Sequence, residues 1–160
     1  MVISWLGDAG IRLQTKDTVV LIDPPGASTG LKPTKQVANI VAVSQPEDRD
    51  VKSVSGEPFV IDRPGEYERQ NVFVYGIHLP GDPERVHFRI EAEEMSLGHL
   101  GSIKEKLDNG QLAAFEGVDV LFVPVGGKSV YTADEAATLI SQIEPRIVIP
   151  IQYKCPGSNT

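Results

Sequence analysis

Cysteine is almost absent from this chain, and basic residues are outnumbered by acidic ones. The single cysteine, Cys155, cannot form a disulfide within the chain, so a reducing cytoplasm is the expected location. The 15 lysines and arginines are not clustered, and with 22 aspartates and glutamates the formal net charge is −7. Binding to nucleic acid depends on clustered positive charge, so no nucleic-acid partner is expected.

Long apolar runs are missing as well. The longest runs have the length of a strand, so no membrane span is expected, and residues 1–5 lack the basic start of a signal peptide. A glycine-rich phosphate loop at 126–127 is not supported either, because the other residues of that motif are absent. The chain has 160 residues, of which 41% are hydrophobic, and this size predicts one domain over 1–160.

Alternating and apolar patterns predict many short strands, with helices only in the last third of the chain. The predicted strands lie at 2–6, 11–14, 18–22, 40–43, 59–61, 72–77, 86–90, 95–97, 118–123 and 147–151. One short helix is predicted at 111–116. A second begins at Thr132, which forms a capping box with Glu135, and continues to about 143. This order of elements favours an α+β fold in which helices cover two sheets.

The densest polar stretch follows the predicted strand at 40–43. The segment 40–50 reads IVAVSQPEDRD, and the carboxyl end of an inner strand is a usual place for catalytic groups. The loop is therefore a candidate site.

Seven segments together resemble the metallo-β-lactamase fold, in particular Zn-dependent hydrolases of the ascorbate-phosphate lactonase-like branch. They are WLGDAG at 5–10, LIDP at 21–24, the 40–50 segment, PGEYE at 64–68, HLGS at 99–102, VPVGG at 123–127 and IPIQYK at 149–154. The resemblance covers nearly the whole chain in the right order. It implies an αββα sandwich, and in the family one or two divalent ions activate a water molecule for hydrolysis.

The residues at the ligand positions of that family are mostly replaced here. The resemblance assigns the following residues to the pocket: Asp8, Gln45, Glu47, Arg49, Asp50, His99, Ser102 and Gln152. Only His99 keeps the residue type of the family. The amide oxygens of Gln45 and Gln152 are poor ligands for zinc. The guanidinium of Arg49, at about 4 Å from a dication, would be repelled by roughly 8 kcal/mol at an effective dielectric constant near 20. A degenerate metal site is therefore the main hypothesis, with no cofactor expected.

Two alternatives stay open for these residues. Asp8, Glu47, Asp50 and His99 could hold one divalent cation, Zn²⁺, Mn²⁺ or Mg²⁺, or the carboxylates could pair with Arg49 while His99 is a hydrogen-bonded core residue. The first reading predicts a divergent hydrolase of a lactone, ester or phosphoester. The second predicts a binding or structural module without hydrolysis, a pseudoenzyme.

A third hypothesis is a metal-free protein that binds a small anionic ligand through Arg49, with Lys154 as a helper. The other two histidines, His78 and His87, are predicted to face solvent. Tyr67, Tyr131 and Tyr153 border the pocket in the resembled fold, although packing in the core or at the rim is favoured for each. An ending at Thr160 is early for the resembled fold, which predicts a truncated second half and, through an exposed apolar face, a homo-oligomer.

Overall fold

Two β-sheets face each other across the main apolar core. The computed structural model describes residues 1–26, 29–31, 35–45, 51–79 and 81–158, the side chains of Lys52 and Pro83 excepted. In chain order the strands are β1 (Val2–Gly7), β2 (Gly10–Gln14), β3 (Val19–Ile22), β4 (Gln36–Val37), β5 (Ile40–Ala42), β6 (Val54–Ser55), β7 (Phe59–Ile61), β8 (Gly65–Arg69), β9 (Val72–Leu79), β10 (Asp82–Ala92), β11 (Met95–His99), β12 (Val120–Pro124) and β13 (Ile147–Ile151). The helices are α1 (Asn109–Ala114) and α2 (Ala133–Ile143).

Each large sheet combines antiparallel and parallel pairing. One sheet has the order β1-β2-β3-β5-β7, and the other has the order β13-β12-β11-β10-β9-β8. Parallel pairing joins β3, β5 and β7 in the first sheet and β11, β12 and β13 in the second. Helix α1 connects β11 to β12, and α2 connects β12 to β13, as parallel neighbours require. The carboxyl ends of these parallel strands are where the candidate site lies.

Buried apolar side chains of the described residues form three clusters, the smallest of which contains Leu21, Ala38, Val41 and Val43. Between the sheets, Ile11 and Ile22 of one sheet belong to the same buried cluster as Phe88 and Phe122 of the other. On the outer face of the six-stranded sheet, Phe115, Leu121, Leu139 and Ile143 form a second buried cluster under the helices. These clusters hold the strand ends in fixed relative positions.

The predicted fold class and element order are confirmed. The predicted strands and helices appear with shifts of a few residues at their ends, and the two sheets form the expected α+β sandwich. The two-residue strands β4 and β6 were missed, as was β8, where the sequence favours a break at 64–65. The β8 segment GEYER offers only Tyr67 as an inward apolar residue, so the alternating pattern is weak. Within the described part of the chain, neither helix has the length and apolar character needed to cross a bilayer.

The prediction that His87 faces solvent is wrong, whereas His78 is exposed as expected. Strand β10 is an inner strand, paired with β9 on one side and β11 on the other. His87 points to the outer face of the sheet and meets the ring of Phe115, at 6.3 Å between centroids. Only the tertiary packing of the Phe115 segment buries it.

The capping box of α2 gives the first testable prediction. The Thr132 hydroxyl accepts the N–H of Glu135, and the Glu135 carboxylate accepts the N–H of Thr132. Thr132→Ala should lower the free energy of unfolding by about 1 kcal/mol, measured by urea denaturation. The matched control is Thr138→Ala, which removes a hydroxyl from the exposed side of the same helix and should cost less. Equal losses in the two variants would contradict a specific role of the cap.

Candidate functional site

Polar residues from both sheets meet where several strands end. Asp23 follows β3, Ser44 follows β5, and His99 ends β11. Ser102 lies three residues after His99, Gln152 follows β13, and Asp8 lies in the turn between β1 and β2. We call these six residues the strand-end cluster.

Asp23 and Ser44 form a buried, hydrogen-bonded pair within this cluster. Asp23 Oδ1 accepts the backbone N–H of Ser44 at 2.6 Å, and Asp23 Oδ2 accepts the Ser44 hydroxyl at 2.7 Å. Burial raises the pKa of Asp23 above its ordinary value, while the nearby His99 and the two bonds from Ser44 oppose this shift. Gly101 closes over the pair, since a Cβ at Gly101 would lie 2.5 Å from Ser44 Oγ.

His99 uses both of its ring nitrogens inside the protein. Nε2 donates to the carbonyl oxygen of Ala9 at 2.9 Å, and Nδ1 accepts the N–H of Gly101 at 3.2 Å. Nδ1 also lies 3.7 Å from Asp23 Oδ2, beyond hydrogen-bonding distance. Burial lowers the pKa of His99, although the charge of Asp23 opposes the shift. The imidazole is therefore neutral and carries its proton on Nε2.

Gln152 and Ser102 bind each other. The Gln152 Nε2 group donates to Ser102 Oγ, and the backbone N–H of Gln152 donates to the carbonyl oxygen of Asp8 at 3.1 Å. Gln152 Oε1 is buried and has no hydrogen-bond partner in the described structure. The backbone at Gly126 lies directly against the backbone of Gln152, because a Cβ at Gly126 would lie 2.2 Å from the carbonyl oxygen of Gln152.

The structure thus brings together four of the residues assigned from the sequence, namely Asp8, His99, Ser102 and Gln152. Gln45 is half-buried beside Ser44, whereas Glu47, Arg49 and Asp50 lie outside the described residues. Asp23 and Ser44 were missed. A sequence signal for Asp23 existed, because it is an acidic residue directly after the apolar strand 19–22 and before a proline.

The described residues do not fit a dinuclear zinc centre. No group of three or more His, Cys, Asp or Glu side chains in the described ranges could hold a metal ion. The only histidine of the cluster has no free ring nitrogen, and Gln152 and Ser102 offer an amide and a hydroxyl, which bind zinc weakly. The chemistry of this donor set is that of a hydrogen-bonded network.

The aromatic residues near the site have structural partners. Tyr153 stacks on Trp5, with 5.3 Å between ring centroids, beside Asp8 and Gln152. Tyr131 is buried and donates to the carbonyl oxygen of Glu105, and burial raises its pKa to about 12. Tyr67 packs against the main core. Only Tyr153 lies at the edge of the strand-end cluster.

Buried His87 lies on the outer face of the six-stranded sheet, beside Leu100, the residue that follows His99. Its Nδ1 donates to the carbonyl oxygen of Leu100 at 2.7 Å, and its Nε2 has no partner in the part of the chain that the structure describes. Burial lowers the pKa of His87 to about 4, so this imidazole is neutral at physiological pH.

Comparison with known proteins identifies the family of this chain. The family described as a β-lactamase superfamily domain matches residues 2–152. This chain belongs to that family.

A protein from Thermotoga maritima, assigned to the Zn-dependent hydrolases of the metallo-β-lactamase superfamily, has a similar solved structure. The TM-score is 0.86 at 29% identity, over 96% of this chain and 76% of that one. The UPF0173 metal-dependent hydrolase of Lysinibacillus sphaericus is 21% identical over 193 residues, covering 96% of this chain and 85% of the relative.

A UPF0173 protein of Pyrococcus furiosus is 53% identical over 36 residues. This match spans 22% of the chain but only 17% of that relative's length. The alignment with the Lysinibacillus protein runs over 193 positions, more than the 160 residues of this chain, so that relative has internal segments without a counterpart here. Placement in the ascorbate-phosphate lactonase-like branch stays a prediction.

Proposed function

We propose that this family member has lost the dinuclear metal centre, and with it hydrolysis, and acts as a binding or structural module. The observation that carries the proposal is the state of His99, whose two ring nitrogens are both engaged by the backbone. To bind a metal, His99 would have to release Ala9 or Gly101, and an unpaired buried polar group costs about 1–3 kcal/mol.

The hydrogen bonds of the cluster support a structural role. Asp23 and Ser44 tie the ends of β3 and β5 together within one sheet. His99 and Gln152 then join the six-stranded sheet to the β1–β2 turn of the other sheet, through Ala9 and Asp8. In a metalloenzyme a bound ion cross-links such loops. Here the direct hydrogen bonds perform that cross-linking.

The descriptions of the relatives favour a second candidate, a metal-dependent hydrolase. In that case one divalent cation, Zn²⁺, Mn²⁺ or Mg²⁺, would be held by Asp8, Glu47, Asp50 and His99, and the substrate would be a lactone, ester or phosphoester. The Lysinibacillus and Thermotoga proteins, which this chain matches over nearly its whole length, are the reason to test it. A small anionic ligand and a homo-oligomer remain predictions under either candidate.

Metal content separates the two candidates. Protein purified without chelator or affinity metal, then dialysed against Zn²⁺, Mn²⁺ or Mg²⁺ and back into metal-free buffer, should retain far less than one ion per chain by mass spectrometry. The double variant Ser102→Asp with Gln152→His should retain much more Zn²⁺, because the two new ligands stand within reach of each other and beside Asp8.

A matched control makes the same two changes on the exposed face of α2, as Ser141→Asp with Gln142→His, and should leave metal retention unchanged. Near-stoichiometric metal in the unaltered protein, accompanied by ester or lactone hydrolysis that Asp8→Ala abolishes, would overturn the proposal in favour of the hydrolase.

A further inference from the structure

The outer face of the six-stranded sheet is covered only in part. The second core covers β11 to β13 and the end of β9 at Leu79. Gly98 lets Phe115 approach the sheet, since a Cβ at Gly98 would lie 2.8 Å from that ring.

On β9, Val72 and Val74 point inward and are buried, whereas Phe73 on the outer face is 45% exposed. Helix α1 reaches the end of β9, where Gln111 Nε2 donates to the carbonyl oxygen of His78. Among the described residues, the face formed by β8, the first part of β9 and the last part of β10 therefore has no helix over it.

The strand register determines which side chains share this open face. Glu66 and Glu68 of β8 stand opposite Tyr75 and Phe73 of β9. Phe73 in turn stands opposite Glu91 of β10. Directly opposed residues point to the same face of a sheet, so Phe73 lies between two carboxylates, whereas Tyr75 lies between Glu66 and Arg89.

Two depressions lie along these side chains and share Glu91. One, of about 350 Å³, extends from Phe73 towards Glu94 and Asp119. The other, of about 510 Å³, extends from Tyr75 and Glu66 towards Ala114 of α1. We call this combined surface the aromatic–acidic groove.

The cationic residues next to the groove are already engaged. Arg89, opposite Tyr75, donates through Nε to Glu91 at 2.9 Å and through Nη1 to the carbonyl oxygens of Ala114 and Glu116. Arg69 of β8 lies over the ring of Phe59, at 5.9 Å from its centroid, on the side of β8 that Tyr67 also faces. The carboxylates of Glu66, Glu68 and Glu94 are exposed. These three exposed carboxylates therefore outnumber the one guanidinium that lines the groove in the described structure, that of Arg89, which is already paired with Glu91.

We propose that the aromatic–acidic groove binds a lysine- and arginine-rich segment of a partner protein. The long aliphatic stems of such residues would pack on Phe73 and Tyr75, and their charged ends would reach Glu66, Glu68 and Glu94. Charge complementarity selects this occupant. A second copy of the chain, with a net charge of −7, would place like charges against each other, and a nucleic acid would add phosphates to carboxylates.

Peptide binding to the full chain tests the proposal. The probe is a fluorescein-labelled decapeptide of alternating lysine and serine, and fluorescence anisotropy measures its binding. A labelled decapeptide of alternating glutamate and serine is the negative probe. We expect the lysine peptide to bind, the glutamate peptide not to bind, and binding to weaken as salt is added. Phe73→Ser and Glu66→Lys should each weaken binding about fivefold or more, the effect of losing one cation–π or charge contact.

Glu57→Lys is the matched control, because it makes the same charge change at an exposed position between β6 and β7, away from the groove. This variant should bind like the unaltered protein. Equal loss in Glu57→Lys and Glu66→Lys would show diffuse attraction to net charge and overturn the proposal, as would the absence of any lysine-peptide binding. Sedimentation as a dimer that Phe73→Ser dissociates would also overturn it and assign the groove to self-association.

Discussion

Asp23→Ala is expected to lower the free energy of unfolding by about 3 kcal/mol. The change leaves the buried N–H of Ser44 without its acceptor and removes the acceptor of the Ser44 hydroxyl. It also places alanine at a φ of 42°, a left-handed conformation that aspartate tolerates better. Urea denaturation, followed by the fluorescence of the single tryptophan, Trp5, measures the loss.

Two further variants separate the contributions to this loss. Asp23→Asn keeps the size and the backbone preference of the residue and can still accept the Ser44 N–H, so it should cost less than Asp23→Ala. Ser44→Ala removes only the hydroxyl bond and should cost about 1 kcal/mol. A loss below about 1 kcal/mol in Asp23→Ala would show that this pair does not hold β3 and β5 together.

Acid should destabilise the protein through His87. In the folded state burial lowers the pKa of His87 from 6.5 to about 4, so between these values the unfolded chain binds a proton that the folded protein does not. Above pH 6.5 His87 is neutral in both states, so its titration costs no stability. As the pH falls from 6.5 towards 4, protonation of His87 in the unfolded chain progressively lowers the free energy of unfolding. The pKa difference between the unfolded and folded states corresponds to a loss of about 3 kcal/mol in the free energy of unfolding between pH 6.5 and 4.

Comparing the unaltered protein with His87→Asn separates the effect of His87 on acid stability from the effects of His99 and Asp23. The lowered pKa of His99 acts in the same direction and the raised pKa of Asp23 acts in the opposite one, so the unaltered protein reports their sum. Around His87, the charge of Glu105 raises its pKa, whereas the charge of Arg85, and that of His99 once it is protonated, lowers it. The expected result is a shallower decline of stability with acid in His87→Asn, whose amide can still donate to Leu100.

Exposed His78 provides the control, since His78→Asn should leave the decline unchanged. Urea denaturation at several pH values between 4 and 7.5 gives the comparison for all three proteins. Parallel curves for the unaltered protein and His87→Asn would show that His87 titrates normally.

Local sequence patterns determined most of the fold. Apolar runs and alternation marked nearly all strands of the two sheets, and the spacing of Thr132 and Glu135 marked the start of α2. These signals succeed because the period of a strand or a helix is written within a few neighbouring residues. The order of the segments also carried the family, which the match over residues 2–152 confirms. Strand β8 was not predicted, because it lies at the edge of its sheet and an edge strand needs few apolar residues.

The tertiary structure alone decided the state of the candidate site. Asp23 and Ser44 are 21 residues apart, Ser102 and Gln152 are 50 apart, and His99 and Ala9 are 90 apart. No local pattern encodes such pairs, because they depend on how the two sheets pack and where their strands end. The resemblance in sequence predicts that most family ligands are replaced. The structure adds that backbone groups bind both ring nitrogens of His99, and that His87 is buried rather than exposed.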